Sequence, residues 1–555
     1  MSQDGTKLEL RCVSSLAKVF ADEELRDAPH SRASALLGEA ASFQVAYRPD
    51  SLIKGMRASV RSEIDADITL RAVGLAPSEM PVYADHDEDL LRTTPGLYPD
   101  PLFELSSDGG TGLTAIPGQW RSVWVTAEPR LDAEPGIFPI AVVFETDGGE
   151  KLGEAVFELE VVPLSLPKQE LLHTEWFHAD CLATHYGVEV FGERHWEIIE
   201  HYVRTAARHG VNLLLTPLFT PPLDTKIGGE RPTVQLVDVR LEADGSYGFG
   251  FGKLGRWVAL CRRQGIEQFE FSHLFTQWGA QHAPKIIASV DGGDKRIFGW
   301  DTDAGGEAYG AFLRQFLPAL LGWVKDNGLE GRCFFHVSDE PSLQHIDAYA
   351  SASRLVGELV GDYPVIDALS DYAFYEKGLV KNPIPANNHI EPFLANGVER
   401  LWTYYCCVQY KEVANRFFSM PSARSRILGI QLYKFEIAGF LHWGYNFWYS
   451  QYSLGPIDPY RVTDASHAFP SGDAFLVYPG EDGRPVESIR LEVVREALQD
   501  LRALRLLEER YGREYVLAGL EEGLAEPITF SAYPRDAAWL LAKREWVNAK
   551  LKERP

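Results

Sequence analysis

From about residue 170 onward, short apolar runs alternate with longer segments whose apolar residues have helical spacing, and this alternation constrains the fold more than any other feature. The runs at 211–215, 269–271 and 333–337 are continuously apolar, which is typical of parallel strands buried on both faces. Helical spacing is clear at 254–263 and 307–326. Seven or eight such strand–helix units over about 300 residues predict an α/β fold of the TIM-like (β/α)8 barrel class.

The segments on either side of this region follow other patterns. Before residue 166, short alternating runs without helices between them predict an N-terminal β-sandwich, residues 1–166. These runs lie at 43–46, 68–73, 120–125, 141–144 and 155–159. Pro163 and Pro167 mark a linker, which places the barrel at residues 167–470. Residues 471–555 are predicted to be a short C-terminal region whose strands and helices pack on the barrel.

The segment that most clearly indicates catalytic residues is His336-Val337-Ser338-Asp339-Glu340-Pro341, where an apolar strand ends in two acids and a proline. Functional residues of a (β/α) barrel gather where its strands end. Because successive strand residues point to opposite sides, two adjacent acids share a pocket only where the strand breaks into a loop. A structural alternative is that Ser338 or Asp339 caps the next helix. We predict that Asp339 and Glu340 are the catalytic residues.

Aromatic and polar residues follow the other predicted strands. An aromatic floor with an amide donor suits a pyranose ring and its hydroxyls, although each ring could instead belong to the core. The segment 439–448, GFLHWGYNFW, is the richest of these strand ends. The predicted substrate-binding residues are Trp176, His178, His336, Trp402, Tyr404, Tyr405, Trp443, Tyr445 and Asn446.

Charge and hydropathy argue against several classes of partner. Lys and Arg total 54 against 79 Asp and Glu, and the formal net charge of −25 repels nucleic acids and anionic membranes. No apolar stretch reaches the length of a membrane span. We therefore expect neither nucleic acid nor membrane as a partner, whereas the aromatic strand ends favour a carbohydrate.

The cysteines and histidines give no pattern that holds a metal. The 6 cysteines contain no CxxC pair, and the histidines of the predicted strands show no HxH or HExxH spacing. We expect no metal and no other cofactor. The N-terminal MSQDGTKLELRC shows no export signal, so we expect a cytoplasmic protein with reduced thiols. The oligomeric state stays open, with a homodimer as one option.

Three segments together resemble glycoside hydrolase family 123 and its relatives: HVSDEP at 336–341, GFLHWGYNFW at 439–448, and GDAFLVYPGEDGRPVESIRLEVVREALQDLRAL at 472–504. The resemblance covers residues 170–510 well and the N-terminal part in outline. It implies a β-sandwich joined to a barrel and a short C-terminal region. It also implies an exo-β-N-acetylgalactosaminidase whose adjacent Asp–Glu pair is Asp339 and Glu340. Family members are commonly exported, and the missing signal implies instead an enzyme acting on imported oligosaccharides.

An adjacent pair of acids fits a reaction in which the substrate supplies its own nucleophile. The 2-acetamido oxygen would attack C1, Asp339 would stabilise the resulting oxazolinium ion, and Glu340 would act as acid and then as base. A retaining enzyme with two carboxylates, using Glu391 or Asp371 as nucleophile, is the enzymic alternative. A sugar-binding protein without catalysis is the alternative from another class.

Overall fold

The computed structural model describes residues 7–105 and 112–554. Residues 1–6, which begin the segment expected to lack an export signal, lie outside the described residues. The strands before residue 166 are β1 (Leu8–Ser14), β2 (Arg32–Leu37), β3 (Ala41–Pro49), β4 (Ile53–Arg61), β5 (Ala66–Ser78), β6 (Gly96–Glu104), β7 (Leu113–Ala115), β8 (Arg121–Pro129), β9 (Gly136–Glu145) and β10 (Lys151–Ser165). Each alternating run of the sequence coincides with one of these strands.

The N-terminal strands form two sheets that share one core. One sheet has the order β1-β3-β8-β5-β6, and the other has the order β2-β10-β9-β4-β7. Phe43 of the first sheet stacks on Phe157 of the second with ring centroids 4.0 Å apart. The second face of the first sheet is also buried, and Trp124 there joins the same core as Phe177 of the following region. The sandwich is therefore packed against the rest of the chain over a broad surface.

The later strands are β11 (Leu172–Glu175), β12 (Leu213–Thr216), β13 (Asp238–Leu241), β14 (Tyr247–Gly250), β15 (Gln268–Phe271), β16 (Ile286–Val290), β17 (Gly293–Phe298), β18 (Cys333–Phe334), β19 (Ile366–Ala368), β20 (Asn382–Ile384), β21 (Trp402–Tyr404), β22 (Gly439–His442), β23 (Tyr478–Pro479) and β24 (Pro485–Ser488). The helices are α1 (Ala179–Tyr186), α2 (Glu193–Arg208), α3 (Gly252–Arg263), α4 (Glu307–Asp326), α5 (Ile346–Val360), α6 (Ala373–Glu376), α7 (Glu391–Ala395), α8 (Ser422–Arg426), α9 (Leu428–Lys434), α10 (Ile489–Tyr511), α11 (Arg513–Glu521) and α12 (Ala537–Glu553). Within the described residues no helix combines the length and apolar character needed to cross a bilayer.

The parallel strands of the predicted barrel pair as three short sheets. Their orders are β11-β22-β21, β12-β15-β18 and β19-β20. Two single parallel bridges, Phe335 with Val365 and Ala386 with Tyr404, connect neighbouring sheets. The structure is thus mixed α/β with strands and helices in the predicted order, and the expectation of a barrel is confirmed only in part, because these ladders do not form one continuous sheet.

Two features of the fold differ from the expectations. A sheet of order β14-β13-β16-β17 extends from the loops after β12 and β15, and the apolar pattern did not predict it. The proline linker was also wrong in one respect. Pro163 lies inside β10, which shifts register between Val162 and Ser165 and continues to pair with β2. The domain boundaries themselves stay predictions.

The C-terminal region connects the other two parts of the molecule. Strand β24 pairs with β6 of the N-terminal sheet, with Ser488 opposite Pro101. Helix α10 packs on α9 of the barrel region, where Gly429 lies against the backbone of Ala497. Arg490 of α10 forms an ion pair of 2.9 Å with Asp100 of β6. This region therefore packs on both neighbours, and not on the barrel alone.

Candidate active site

The two predicted catalytic acids lie where the chain leaves β18, and neighbouring loops fix their backbone. The Glu340 N–H donates to the carbonyl of Ala368, the last residue of β19, at 3.1 Å, and the Asp339 carbonyl accepts from the Trp278 N–H at 2.9 Å. Glu340 has a φ of 42°, in the left-handed region. The Ser338 hydroxyl donates to the Thr276 carbonyl at 2.7 Å, and α5 begins only at Ile346. The helix-cap alternative is therefore excluded.

Both acids line a cavity with a volume of about 190 Å³. This volume is below the ~300–1,000 Å³ of typical ligand pockets, which fits a small ligand. The lining comes from loops after different strands: Asp224 after β12, Gln277 and Trp278 after β15, Asp339 and Glu340 after β18, Cys406 and Cys407 after β21, and Trp443, Tyr452 and Phe469 after β22. A pocket at the carboxyl ends of parallel strands is where barrel enzymes bind their substrates.

Both carboxyl groups hold their protons more strongly than ordinary carboxyl groups. Burial and the neighbouring Glu340 carboxylate raise the pKa of Asp339 well above its usual range. Burial also raises the pKa of Glu340, although the hydroxyl of Tyr404 donates to Glu340 Oε1 at 2.5 Å and acts in the opposite direction. The pair therefore keeps a proton at pH values where exposed carboxyl groups have lost theirs.

A buried layer of charged groups lies beneath the acids. His336 is fully buried, with Nε2 2.6 Å from Glu270 and Nδ1 3.2 Å from Asp367. Burial lowers the pKa of His336, but the hydrogen bonds to Asp367 and Glu270 outweigh it and raise this pKa to about 9. Glu270 also accepts from Trp176 Nε1 at 2.7 Å. The layer thus holds an imidazolium below the acids and fixes an indole ring of the cavity wall.

A second buried network supports the opposite side of the cavity. Arg416 bonds both oxygens of Glu175, at 2.7 and 3.0 Å. The same guanidinium bonds Nδ1 of His442 at 2.6 Å. Asp473 accepts from Trp443 Nε1 at 2.9 Å, and burial raises the pKa of this acid to about 7. The indole of Trp443 is therefore held from behind, and the orientation of its ring is fixed.

The sequence matches a model of one enzyme family. The model describes the catalytic domain of glycoside hydrolase 123 and matches residues 176–507, which contain all the loops that line the cavity. The chain belongs to glycoside hydrolase family 123. Membership identifies a glycosidase family and implies a carbohydrate substrate for this family 123 protein, and it confirms the resemblance read from the three segments.

A solved structure of a family 123 enzyme shares the fold. A family 123 glycoside hydrolase from Clostridium perfringens, studied for glycolipid glycan hydrolysis, matches with a TM-score of 0.75 and 15% identity over 99% of this chain and 98% of that chain. An endo-β-1,4-mannanase from Thermotoga petrophila has a TM-score of only 0.34 and 12% identity over 60% of this chain and 77% of that chain. No curated protein matches this family 123 member.

Five of the predicted site residues lie around the cavity of this family 123 protein. They are Trp176, Asp339, Glu340, Tyr404 and Trp443. The two tryptophans and the tyrosine come from β21 and from the ends of β11 and β22, so three separate strand segments contribute them. Their roles in binding or catalysis stay predictions, whereas their common location is an observation.

The other six predicted residues do not line the cavity. His336 lies in the charged layer, and Trp402, Tyr405 and Tyr445 are packed in the core. Asn446 exchanges two hydrogen bonds with the backbone of His178, at 2.9 and 3.0 Å, and so joins the ends of β22 and β11. These six side chains thus lie outside the cavity lining, and a role for them in substrate binding stays a prediction.

Several residues of the wall had no signal in the sequence. Asp224 and Tyr452 lie on long loops well beyond their strands, and the Tyr452 N–H donates to Asp224 Oδ2 at 2.9 Å. Gln277 accepts from the Asp224 N–H at 2.6 Å. Asp224, Trp278 and Tyr452 have φ values of 38°, 61° and 59°, as unusual as that of Glu340. Strained backbone at non-glycine residues is concentrated at functional sites, which agrees with this location.

One buried cluster near the site contains residue types that can bind a metal ion. His273, His336 and Asp367 place potential ligand atoms within 4.8 Å of one another. Both ring nitrogens of His336 already contact carboxylates, at 2.6 Å from Glu270 and 3.2 Å from Asp367. Independence of the reaction from metals stays a prediction.

Proposed function

We propose that this chain is a retaining exo-glycosidase that removes terminal β-linked N-acetylgalactosamine, with the 2-acetamido group of the substrate as nucleophile. The observation that carries the proposal is the adjacent pair Asp339 and Glu340 in the wall of one small cavity. An adjacent pair is well suited to this mechanism because one acid can stabilise the charge on the amide while the other protonates the leaving group. The raised pKa values keep a proton in the pair, and the first step needs that proton on Glu340.

In the proposed reaction the acetamido oxygen attacks C1 from the face opposite the leaving group. Glu340 gives its proton to the glycosidic oxygen, the C1–O bond breaks, and an oxazolinium ion forms. Asp339, which is ionised while Glu340 holds the proton of the pair, stabilises the positive charge on the former amide. Glu340 then takes a proton from water, whose oxygen opens the ring at C1 and restores the β configuration. The enzyme forms no covalent bond to the sugar.

The aromatic residues of the wall fit the sugar-binding part of the proposal. The indole N–H groups of Trp176 and Trp443 are bound to Glu270 and Asp473 behind the wall. Both rings are therefore fixed in orientation. We propose that these rings pack against the pyranose, and that Tyr404 orients Glu340 toward the glycosidic oxygen.

One observation favours a second candidate mechanism with two protein carboxylates. Asp224 is the third acid of the cavity lining, and burial raises its pKa to about 6. Glu391 is exposed at the start of α7, and Asp371 accepts from the Ala373 N–H at the start of α6. Neither Glu391 nor Asp371 lines the cavity, so Asp224 replaces them as the candidate nucleophile. In retaining enzymes with two catalytic carboxyl groups, those groups generally lie ~5 Å apart.

A matched pair of substrates separates these candidates. An aryl 2-acetamido-2-deoxy-β-galactoside should be cleaved, and the corresponding aryl β-galactoside with a 2-hydroxyl group should be nearly inert. Cleavage of both at similar rates, with a 2-fluoro sugar labelling Asp224 covalently, would establish the second mechanism instead. If neither compound is cleaved but both bind, the chain is a sugar-binding relative without catalysis. Asp224→Asn serves as the control variant, because it abolishes labelling only in the two-carboxylate case.

The proposal also covers the closure of the barrel and the location of the protein in the cell. We propose that β11, β12, β15 and β18–β22 form the wall of a (β/α)8 barrel, and the two single bridges between the short sheets support this. We also propose a cytoplasmic location, in support of which all 6 cysteines are free thiols. Cell fractionation with an antibody against the chain tests the location directly.

A further inference from the structure

Two adjacent cysteines, Cys406 and Cys407, form part of the cavity wall next to the proposed acid. They follow β21 directly. Cys406 is 7% exposed, and Cys407 is more exposed than that. The remaining cysteines, Cys12, Cys181, Cys261 and Cys333, are buried elsewhere as single thiols and do not line the cavity. The molecule thus has one dithiol, and it faces the cavity.

The local structure holds the two thiols together. The side chains of Cys406 and Cys407 are within hydrogen-bond reach of each other. The backbone on the Cys406 side is fixed in a turn, because its N–H donates to Gln409 Oε1 at 2.9 Å and its carbonyl accepts from Asn415 Nδ2 at 2.8 Å. Tyr83 of the N-terminal region also interacts with the Cys407 thiol. The two thiols are therefore held close together before any ligand binds.

The surroundings keep both thiols protonated. The hydrogen bond to Cys407 and burial raise the pKa of Cys406 well above its ordinary value. Burial also raises the pKa of Cys407, although its hydrogen bond with Cys406 acts in the opposite direction. The negative charges of Glu340 and Asp473 contribute to both shifts. Because the thiolate is the nucleophile in alkylation, these groups should react slowly with simple alkylating reagents.

We propose that Cys406 and Cys407 form a binding site for thiophilic trivalent centres, of which organoarsenicals are the representative class. An arsenical R–As(OH)2 condenses with the two thiols, so two S–As bonds form and two water molecules leave, without a change of oxidation state. Chelation favours this ligand over reagents that bind one sulfur, because the second S–As bond forms within the same complex. The occupied site would lie beside Glu340 in a cavity of only about 190 Å³, so its occupant would exclude the sugar.

The test uses phenylarsine oxide on the full chain, with two readouts. Intact mass spectrometry should show one phenylarsenic adduct per chain, stable to excess monothiol and reversed by a dithiol such as 2,3-dimercaptopropanol. Hydrolysis of the aryl 2-acetamido-β-galactoside should be lost in parallel. The activity readout rests on the proposed function, whereas the mass readout does not, so a failure of one proposal is distinguishable from a failure of the other.

Cysteine-to-serine variants show which sulfur atoms bind the arsenic. Cys406→Ser and Cys407→Ser should each need about 100-fold more reagent for half-labelling, because a single thiol loses the chelate. Cys181→Ser is the matched control and should label like the parent chain, since Cys181 is buried outside the cavity. Thermal unfolding of each variant checks that it is folded. Labelling that persists in a folded Cys406→Ser, Cys407→Ser double variant would overturn the proposal, as would a parent chain that takes up no adduct.

Discussion

At Glu340 two influences act on a single proton: the surrounding protein, which excludes water, and the hydroxyl of Tyr404. The exclusion of water favours the protonated acid, and the hydroxyl favours the carboxylate. A group with this balance can give a proton in one step and take it back in the next. This is the physical basis for assigning the acid and base role to Glu340 and not to an exposed carboxyl group.

The first prediction follows from that role. Glu340→Gln should lower kcat by about 10²–10⁴-fold, the range typical of general acid–base catalysis, while the chain stays folded. An aryl glycoside with a good leaving group should suffer less, because its departure needs little protonation. Steady-state kinetics and thermal unfolding measure both effects. Glu391→Gln, at an exposed site outside the cavity, is the control, and a similar loss there would refute the assignment.

A second prediction concerns the pH profile. The hydroxyl of Tyr404 lowers the pKa of Glu340, so Tyr404→Phe should raise this pKa further. The acid then keeps its proton to higher pH, and the alkaline limb of kcat/KM should move to higher pH. Tyr405→Phe changes the neighbouring hydroxyl, which does not line the cavity, and should leave the limb unchanged. An alkaline limb that moves to lower pH in Tyr404→Phe would contradict the role given to this hydroxyl.

The location of the two acids in the cavity wall could be predicted from the sequence, but the location of most of the aromatic residues could not. An apolar run that ends in two acids and a proline indicates a strand end on physical grounds alone. Which side chains then face the cavity depends on the register of the last strand residues. Tyr404 points into the cavity and Tyr405 into the core, although both were predicted to contact substrate. Asp224 lies eight residues beyond β12, and only the folded loops bring it to the site.

At the scale of elements, helices with a strong apolar stripe were predictable and polar strands were not. The spacing over 307–326 predicted α4 to the residue. In contrast, β17 is GDKRIF and its first four residues are exposed, so neither burial nor alternation marks it. Strand β20 has three residues with Pro383 in the middle, and proline argues against a strand. These elements depend on pairing with their neighbours, which a local pattern does not reveal.

The packing of α9 on α10 gives the third prediction. A Cβ at Gly429 would lie 2.0 Å from the carbonyl oxygen of Ala497, so Gly429→Ala should force the helices apart and destabilise the chain by ~1–3 kcal/mol. Gly322 in α4 has open space around its Cβ position. Gly322→Ala is the matched control and should stabilise by ~0.4–1 kcal/mol through helix propensity. Denaturant unfolding measures both changes, and equal effects at the two sites would show that the close helix contact is wrong.

At the scale of the whole molecule, the N-terminal sandwich and the barrel region are joined by buried polar contacts. Lys18 is 8% exposed and donates to the carbonyls of Phe418 and Met420, at 2.8 Å each. Arg424 bonds both oxygens of Asp87 at 2.8 Å. Buried polar groups of this kind have no water to replace a lost partner, so separation of the two parts is costly.

The fourth prediction is that these parts unfold together. Calorimetry should show one transition, and near-UV and far-UV circular dichroism should report the same midpoint. Limited proteolysis should not cut first at 163–167, because β10 stays paired there. A fragment of residues 167–555 should be less stable than the full chain. Two separated transitions, or rapid cleavage at the predicted linker, would show that the interface is loose.

The pairing of β6 with β24 has a consequence for how the chain is made. Leu102 is paired with Glu487, about 385 residues later in the sequence. At ~5–20 residues per second of translation, β6 emerges from the ribosome roughly 20–80 s before its partner strand exists. During that interval the N-terminal sheet has an open edge, which is a template for pairing with another nascent chain. We therefore expect the β6 edge to need protection from such pairing until β24 has been made.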